Sequence, residues 1–455
     1  MSTFVRSSKY RHVFGTAVKR EESYDQIKVS RTAWDSNKVC ASTKNFSVIW
    51  EAGGGGSFVP INYEDMGKRT PNPPLISGHK GDVLDIDYHP FNPYIVSSAS
   101  EDCTVKIWQI PKEGLKENMT EPVQDLRGHK RKVGTTAFNP VANNILATSG
   151  TDYVVNVWDI ETGKTTHTVA GHANIIQTCS WNANGSLLVT SSKDKKLRLI
   201  DPRANSVVRE TDAHEGVKGF RACFLDGKNK IFTVGFTKSA HRQYKLFDLD
   251  NFDNCLSSKN IDTSAGQIIP NYDPDTGVLF LAGKGDGNIR YYEITNEGEF
   301  IYYLDEFKSS DPLQGMCTIP KRACDIIGCE IVRVLKLCKG HVQPISFRVP
   351  RKVELFQDDL FPDTYAGVPA LTSEQWCNGE NAEPVLVSLE PNDNEEKKKE
   401  LEQQVTFQKV EVKELSEKEV REEYEKQKQR IAYLESELLK RDHKIEELSK
   451  KAEGN

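Results

Sequence analysis

Three stretches of this chain repeat one another, and the repetition narrows the possible folds more than any other feature. SEDCTVKIW ends at Trp108, GTDYVVNVWD runs through Trp158, and SKDKKLRLID runs through Ile200. In each, an Asp (Asp102, Asp152, Asp194) stands six positions before the aromatic or apolar residue. That spacing suits a tight turn feeding an alternating strand. A degenerate copy, KGDGNIRYYE, places Asp286 six positions before Tyr292, and KNFSVIWE at Trp50 and YKLFD at Phe247 read as two more strand ends. Upstream stand Gly78-His79, Gly128-His129 and Gly171-His172, each His 22 or 23 residues before its Asp, with Ala213-His214 as a variant fourth pair.

Gly-His followed by Asp and Trp at this interval is the WD-repeat signature, in which each repeat builds one blade of a β-propeller. The residues meet for a physical reason. A His from the loop entering a blade reaches a Ser or Thr hydroxyl on an inner strand, the hydroxyl reaches the Trp indole, and the Asp fixes the turn and orients the imidazole. His79, Asp102, Trp108, His129, Asp152, Trp158, His172 and Asp194 are therefore read as structural rather than catalytic. Six strand ends, with strand-like sequence left at both termini, predict an all-β, seven-bladed propeller over residues 1–350. Its last blade is shared between YRHVFG near Tyr10 and PISFRV near Phe347, which removes an exposed edge.

After Pro350 the pattern changes. Residues 351–391 carry Phe356, Phe361, Tyr365 and Trp376 without clear periodicity. So many aromatic rings argue against disorder and for an irregular extension packed on the propeller. Residues 392–418 read as a charged linker. Residues 419–450 show heptads, with Tyr424, Ile431, Leu438 and Ile445 at one core position and Gln427, Leu434, Arg441 and Leu448 at the other. A short α-helical coiled coil is expected, on the order of 42 Å long. Arg430 at g and Glu435 at e are placed to pair between neighbouring parallel helices. The string RIAYLE favours a homotrimer, while Ile with Leu in the core favours a dimer; trimer is the expectation.

Composition excludes several function classes. A formal charge of -6 and no recognisable reading module argue against nucleic-acid binding. The Gly53–Gly56 run lacks the Lys and Ser/Thr of a phosphate loop, and GKGDG at Gly283–Gly287 falls on a repeat turn, so neither catalysis nor a cofactor is expected. Ten cysteines without a CxxC pair predict reduced thiols and no metal. No run of about 18 apolar residues occurs, and a soluble, intracellular chain is expected.

Beyond the repeats, six blocks resemble the coronin family in order: SSKYRHVFG from Ser7, VSRTAWDS from Val29, GHKRKVG from Gly128, AGKGDGNIRYYE from Ala282, SFRVPRK from Ser346 and FQDDLFPDTYAG from Phe356. The resemblance implies a cytoplasmic protein of the actin cytoskeleton and cell cortex. It implies that the propeller binds filamentous actin, that the coiled coil makes homo-oligomers, and that the partners include the actin-related-protein branching complex and cofilin. It also makes Lys28 the counterpart of an actin-contacting arginine, keeping the charge without the forked geometry. Around it, the first 31 residues carry seven Lys or Arg against three acids. Lys9, Arg11, Lys19, Arg20 and Arg31 join Lys28 as candidate actin-binding residues, with KRK at Lys130–Lys132 and KDKK at Lys193–Lys196 as further basic loops. The alternative is a WD-repeat scaffold for vesicle traffic or signalling that does not bind actin.

Overall fold

The computed structural model describes residues 7–33, 35–53, 56–68, 71–352, 355–391 and 428. The coiled-coil positions Arg430, Ile431, Leu434, Glu435, Leu438, Ile445 and Leu448 lie outside them.

Among the described residues, seven antiparallel propeller sheets follow one another along the chain. Blade 1 holds the strands Val39–Ala41, Asn45–Trp50 and Ser57–Asn62, and Ile76 bridges to Phe58 as its outermost piece. Blades 2 to 6 are four-stranded, beginning at Val83, Val133, Ile176, Arg221 and Ile268. Blade 7 takes Leu313–Thr318, Glu330–Cys338 and Gly340–Arg348 from the end of the propeller and Phe14–Ala17 from its start. Phe14 faces Arg348 and Ala17 faces Ile345, so only the last two residues of YRHVFG enter the closing strand. A further strand, Tyr24–Ile27, pairs with the same partner nearer its start, Tyr24 against Val342.

Stacked blades bury both faces of each sheet, so inner strands tolerate continuous burial where a solvated sheet would alternate. Ile95–Ser100 and Val278–Gly283 are buried at every position, whereas the outer strand Ser206–Asp212 is mostly exposed. Apolar clusters lie between neighbouring blades: Ile95, Val105 and Ile107 meet Val133, Leu146 and Trp158. Trp108, Trp158, Ile200, Phe247 and Tyr292 all fall on third strands. Trp50 differs, closing the second strand of blade 1. Six residues of alternating apolar sequence look alike on either strand.

Within a blade, successive strands reverse direction. Loops joining one blade to the next therefore share a rim with the turns between second and third strands, while the other turns form the opposite rim. The extension crosses that opposite rim. Leu360 and Phe361 sit in the cluster between blades 6 and 7, and Leu371 and Trp376 in the cluster of blades 3 and 4. It is more regular than its sequence suggests. Thr364–Tyr365 pairs with Leu386–Val387, and Thr372 caps the one-turn helix Ser373–Cys377 through a reciprocal bond with Gln375.

Candidate partner-binding rim

The first rim is held by buried polar bridges. In blade 2, His79 Nε2 lies 2.7 Å from Ser98 Oγ, Trp108 Nε1 donates to the same oxygen at 2.8 Å, and His79 Nδ1 lies 2.9 Å from Asp102. Blade 3 repeats this with His129, Thr148, Trp158 and Asp152 at 2.8 to 3.0 Å. Burial disfavours the Asp102 anion, but bonds from His79, Thr104 and the Lys80 amide outweigh it and hold the carboxyl well below the usual range. Asp102 also accepts from the Thr104 amide at 3.0 Å, which fixes the turn in which Cys103 takes a positive φ of 69°.

Later blades alter the bridge. His172 reaches Thr190 at 2.9 Å, but Asp194 pairs with Arg198 at 2.8 Å. His214 reaches Thr233 at 3.0 Å. At Asp286 a buried Arg242 replaces the imidazole, held at 2.7 Å from Asp286 and 2.5 Å from Asp262. Nothing in local spacing announces this substitution, because Arg242 lies on the preceding blade.

Burial, with Arg198 nearby, pushes His172 down to about 4 even though Asp194 and Glu210 oppose the shift. The unfolded imidazole titrates near 6.5. Between pH 6.5 and 4 the unfolded chain thus binds a proton that the folded chain excludes, so this contribution is complete above 6.5 and is lost as pH falls. His172→Gln should be less stable than wild type by about 1 to 2 kcal/mol at pH 7.5. The gap should narrow by roughly 1.4 kcal/mol per unit below 6.5. Urea melts at pH 7.5 and 5.5 check this, and an unchanged gap would refute it.

In blades 2 and 3 the bridges position exposed cations: the Lys80 and Lys130 amides donate to Asp102 and Asp152, each at 2.9 Å. Glu51 N donates to Lys28 O at 2.8 Å, setting Lys28 against the turn that follows Trp50, and Arg31 pairs with Glu51 at 3.1 Å. Lys80, Lys130, Arg131 and Lys193 are exposed on the same rim, on blades 2, 3 and 4. Lys132 is paired with Glu101 at 2.6 Å. The six amino-terminal cations are not gathered in one patch. Lys19 and Arg20 lie beyond the closing strand at blade 7, with Arg20 on Asp25 at 3.0 Å. Lys9 donates to Asp359 O at 2.8 Å, and neighbouring Ser8 donates to Glu293 at 2.7 Å, which places Lys9 and Arg11 at the opposite rim.

Sequence reading missed how residues 35–37 reach across to other blades. Ser36 donates to Asp85 of blade 2 at 3.0 Å, Arg221 of blade 5 bonds Asn37 and the Asp35 carbonyl, and Lys284 of blade 6 donates to the Ser36 carbonyl. Burial, with Arg221 and Lys38 close by, pushes Lys284 down to about 6. On the opposite rim, a cavity of about 970 Å³ opens among Tyr88, Phe91, Tyr272 and Tyr365, beside the buried Lys321–Asp273 pair. Among the described residues, no helix is long and apolar enough to cross a membrane.

Models of the WD domain, G-beta repeat, match residues 72–109, 120–159 and 163–201, a further type of WD40 repeat matches 342–384, and a domain of unknown function (DUF1899) matches 3–68. Coronin-A of Dictyostelium discoideum is 52% identical over 449 residues, covering 99% of this chain and 100% of that protein. The chain belongs to the coronin family. Human Coronin-2A is 41% identical over 394 residues, 85% of this chain and 75% of its own length. The solved WD40 domain of Toxoplasma gondii coronin superposes on this coronin with a TM-score of 0.79 at 34% identity, covering 84% of this chain and 98% of that domain. The match at 3–68 contains the closing strand Phe14–Ala17 and the match at 342–384 contains residues 345–348, the stretch it pairs with, and the three repeat matches leave both out.

Proposed function

We propose that this coronin is a non-catalytic adaptor that binds filamentous actin through its basic rim, and that its tail multiplies the head so that filaments are crosslinked. The observation that carries this reading is the row of exposed cations, Lys28, Arg31, Lys80, Lys130, Arg131 and Lys193, on loops of four consecutive blades, those of blades 2 and 3 held by buried His–Asp bridges. Such a row suits an extended acidic surface, which actin filaments present. The family resemblance extends the proposal to the actin-related-protein branching complex and cofilin as partners, and to the cell cortex as the site of action.

Co-sedimentation with actin filaments across a salt series tests the reading. Pelleting should weaken as salt rises, because exposed pairs are screened. Lys28→Glu should weaken half-saturation about tenfold, one attraction becoming a repulsion on a solvated surface. Failure of the wild-type chain to pellet at low salt would transfer the reading to a vesicle-traffic or signalling scaffold.

A further inference from the structure

Blade 7 departs from the repeat pattern where blades 2 and 3 carry their His–Asp pairs. The loop from blade 6 brings Asp311 to this place, and the hairpin between second and third strands brings Cys338 and His341, which face each other across Lys339-Gly340. One carboxylate oxygen, the thiol sulfur and one ring nitrogen all lie within 4.8 Å of one another. His341 is 2% exposed, and neither ring nitrogen has a hydrogen-bond partner. Nε2 stands 3.5 Å from Asp311 Oδ2, too far for a good bond. A buried imidazole left this way costs stability unless something else engages it.

We propose that Asp311, Cys338 and His341 form a zinc-class divalent cation site. Sulfur, imidazole nitrogen and carboxylate oxygen together are the donor set that zinc takes, and three protein ligands leave a fourth position for water. The Asp311 side chain is 47% exposed, so that position opens toward solvent. Zinc bonds of about 2.0 to 2.3 Å require the ligand atoms to draw together from separations of up to 4.8 Å. Binding deprotonates the Cys338 thiol and releases its proton to solvent. Burial pushes the free Cys338 thiol up, so the metal itself must draw off its proton; Arg20 lies near both Cys338 and His341, its own charge engaged by Asp25 at 3.0 Å. Lys336 is held by the Gly287 and Asp311 carbonyls at 3.0 and 2.7 Å. Thiolate, Asp311 and Asp25 set three negative charges against the two of Arg20 and Lys336. Because Asp25 pairs in register with His341, a bound ion ties the blade 6 to 7 loop to the hairpin on which the amino-terminal strand closes.

The test uses the full chain, stripped with chelator and kept reduced, titrated with Co²⁺ and then Zn²⁺. Wild type should bind one Co²⁺ with a sulfur-to-cobalt charge-transfer band that Zn²⁺ abolishes, and Zn²⁺ should raise its melting temperature by a few degrees. Cys338→Ser should lose the band. Asp311→Asn, at a half-exposed loop position, keeps the test open if Cys338→Ser fails to fold, and should weaken Co²⁺ binding at least about tenfold. No band in wild type, or a band surviving Cys338→Ser, would overturn the site. So would Asp311→Asn destabilising the metal-free chain while wild type ignores Zn²⁺, since the cluster would then be only a His–Asp contact.

Discussion

Trp376→Ala is expected to destabilise the propeller by about 3 to 5 kcal/mol, the range for emptying a buried large aromatic site. Trp376 is 0% exposed. Its ring meets Trp181 edge-on at 5.7 Å and His167 at 5.7 Å, Arg203 stacks over it at 5.5 Å, and its Nε1 donates to Gly185 O at 2.8 Å. The helix that carries it is only five residues long. One turn has little stability of its own, so the ring holds the helix and not the reverse. Losing the ring therefore both opens a cavity between blades 3 and 4 and frees the strap that Leu371 anchors at Ala142. Urea melting would show a lower midpoint, and limited proteolysis would cut within residues 377–391 faster than in wild type. Trp376→Phe separates the two contributions: it keeps most apolar contact and gives up the indole bond, so about 1 to 2 kcal/mol should go. A melting midpoint for Trp376→Ala equal to that of wild type would mean the strap contributes nothing to the fold.

How much of this was legible in the sequence depended on whether the partners of a residue sit at fixed spacing. His79, Asp102 and Trp108 come from one repeat, so their bridge could be read from local intervals. Seven blades and a shared last blade followed from six strand ends and the strand-like sequence left at both termini. Trp50 was misleading because an apolar strand ending in Trp does not declare whether it is the second or third of its sheet. Asp194 and Asp286 kept the turn but changed partner, to Arg198 and Arg242, and only the fold brings the second pair together. The grouping of amino-terminal cations failed for a similar reason. The chain passes from one rim to the other between Lys9 and Lys28 through the closing strand, so nearness in sequence did not become nearness in space. Residues 35–37 carried no local signal for these contacts, since the partners lie on blades 2, 5 and 6. Cys338-x-x-His341 forms no paired-cysteine pattern, and Asp311 stands 27 positions before Cys338, so the cluster has no local signature.

Cutting the chain after residue 413 is the second large expected effect, and it separates the head from the multiplication proposed for the tail. A single head offers exposed cations whose individual pairs contribute about 0 to 1 kcal/mol each in salt. Tethering several such heads makes each later contact intramolecular, which raises apparent affinity by about a hundredfold to ten-thousandfold without any new contact. The truncated chain should lose that factor in filament binding and should fail to bundle at concentrations where the full chain does. Propeller melting should be unchanged, because the strap ends before the cut. Two readouts distinguish the causes. Sedimentation equilibrium should show the full chain as a trimer and the truncated chain as a monomer, and low-speed pelleting of filaments should disappear with the oligomer. Arg430→Glu with Glu435→Arg provides the finer check: each change alone should weaken assembly, and the pair together should restore it if the two residues meet across helices. Bundling by the truncated chain equal to that of the full chain would mean that one propeller carries two filament sites. The basic rim would then need a second binding surface, and the opposite rim, with Lys9, Arg11 and the cavity beside the strap, would be the place to look for it.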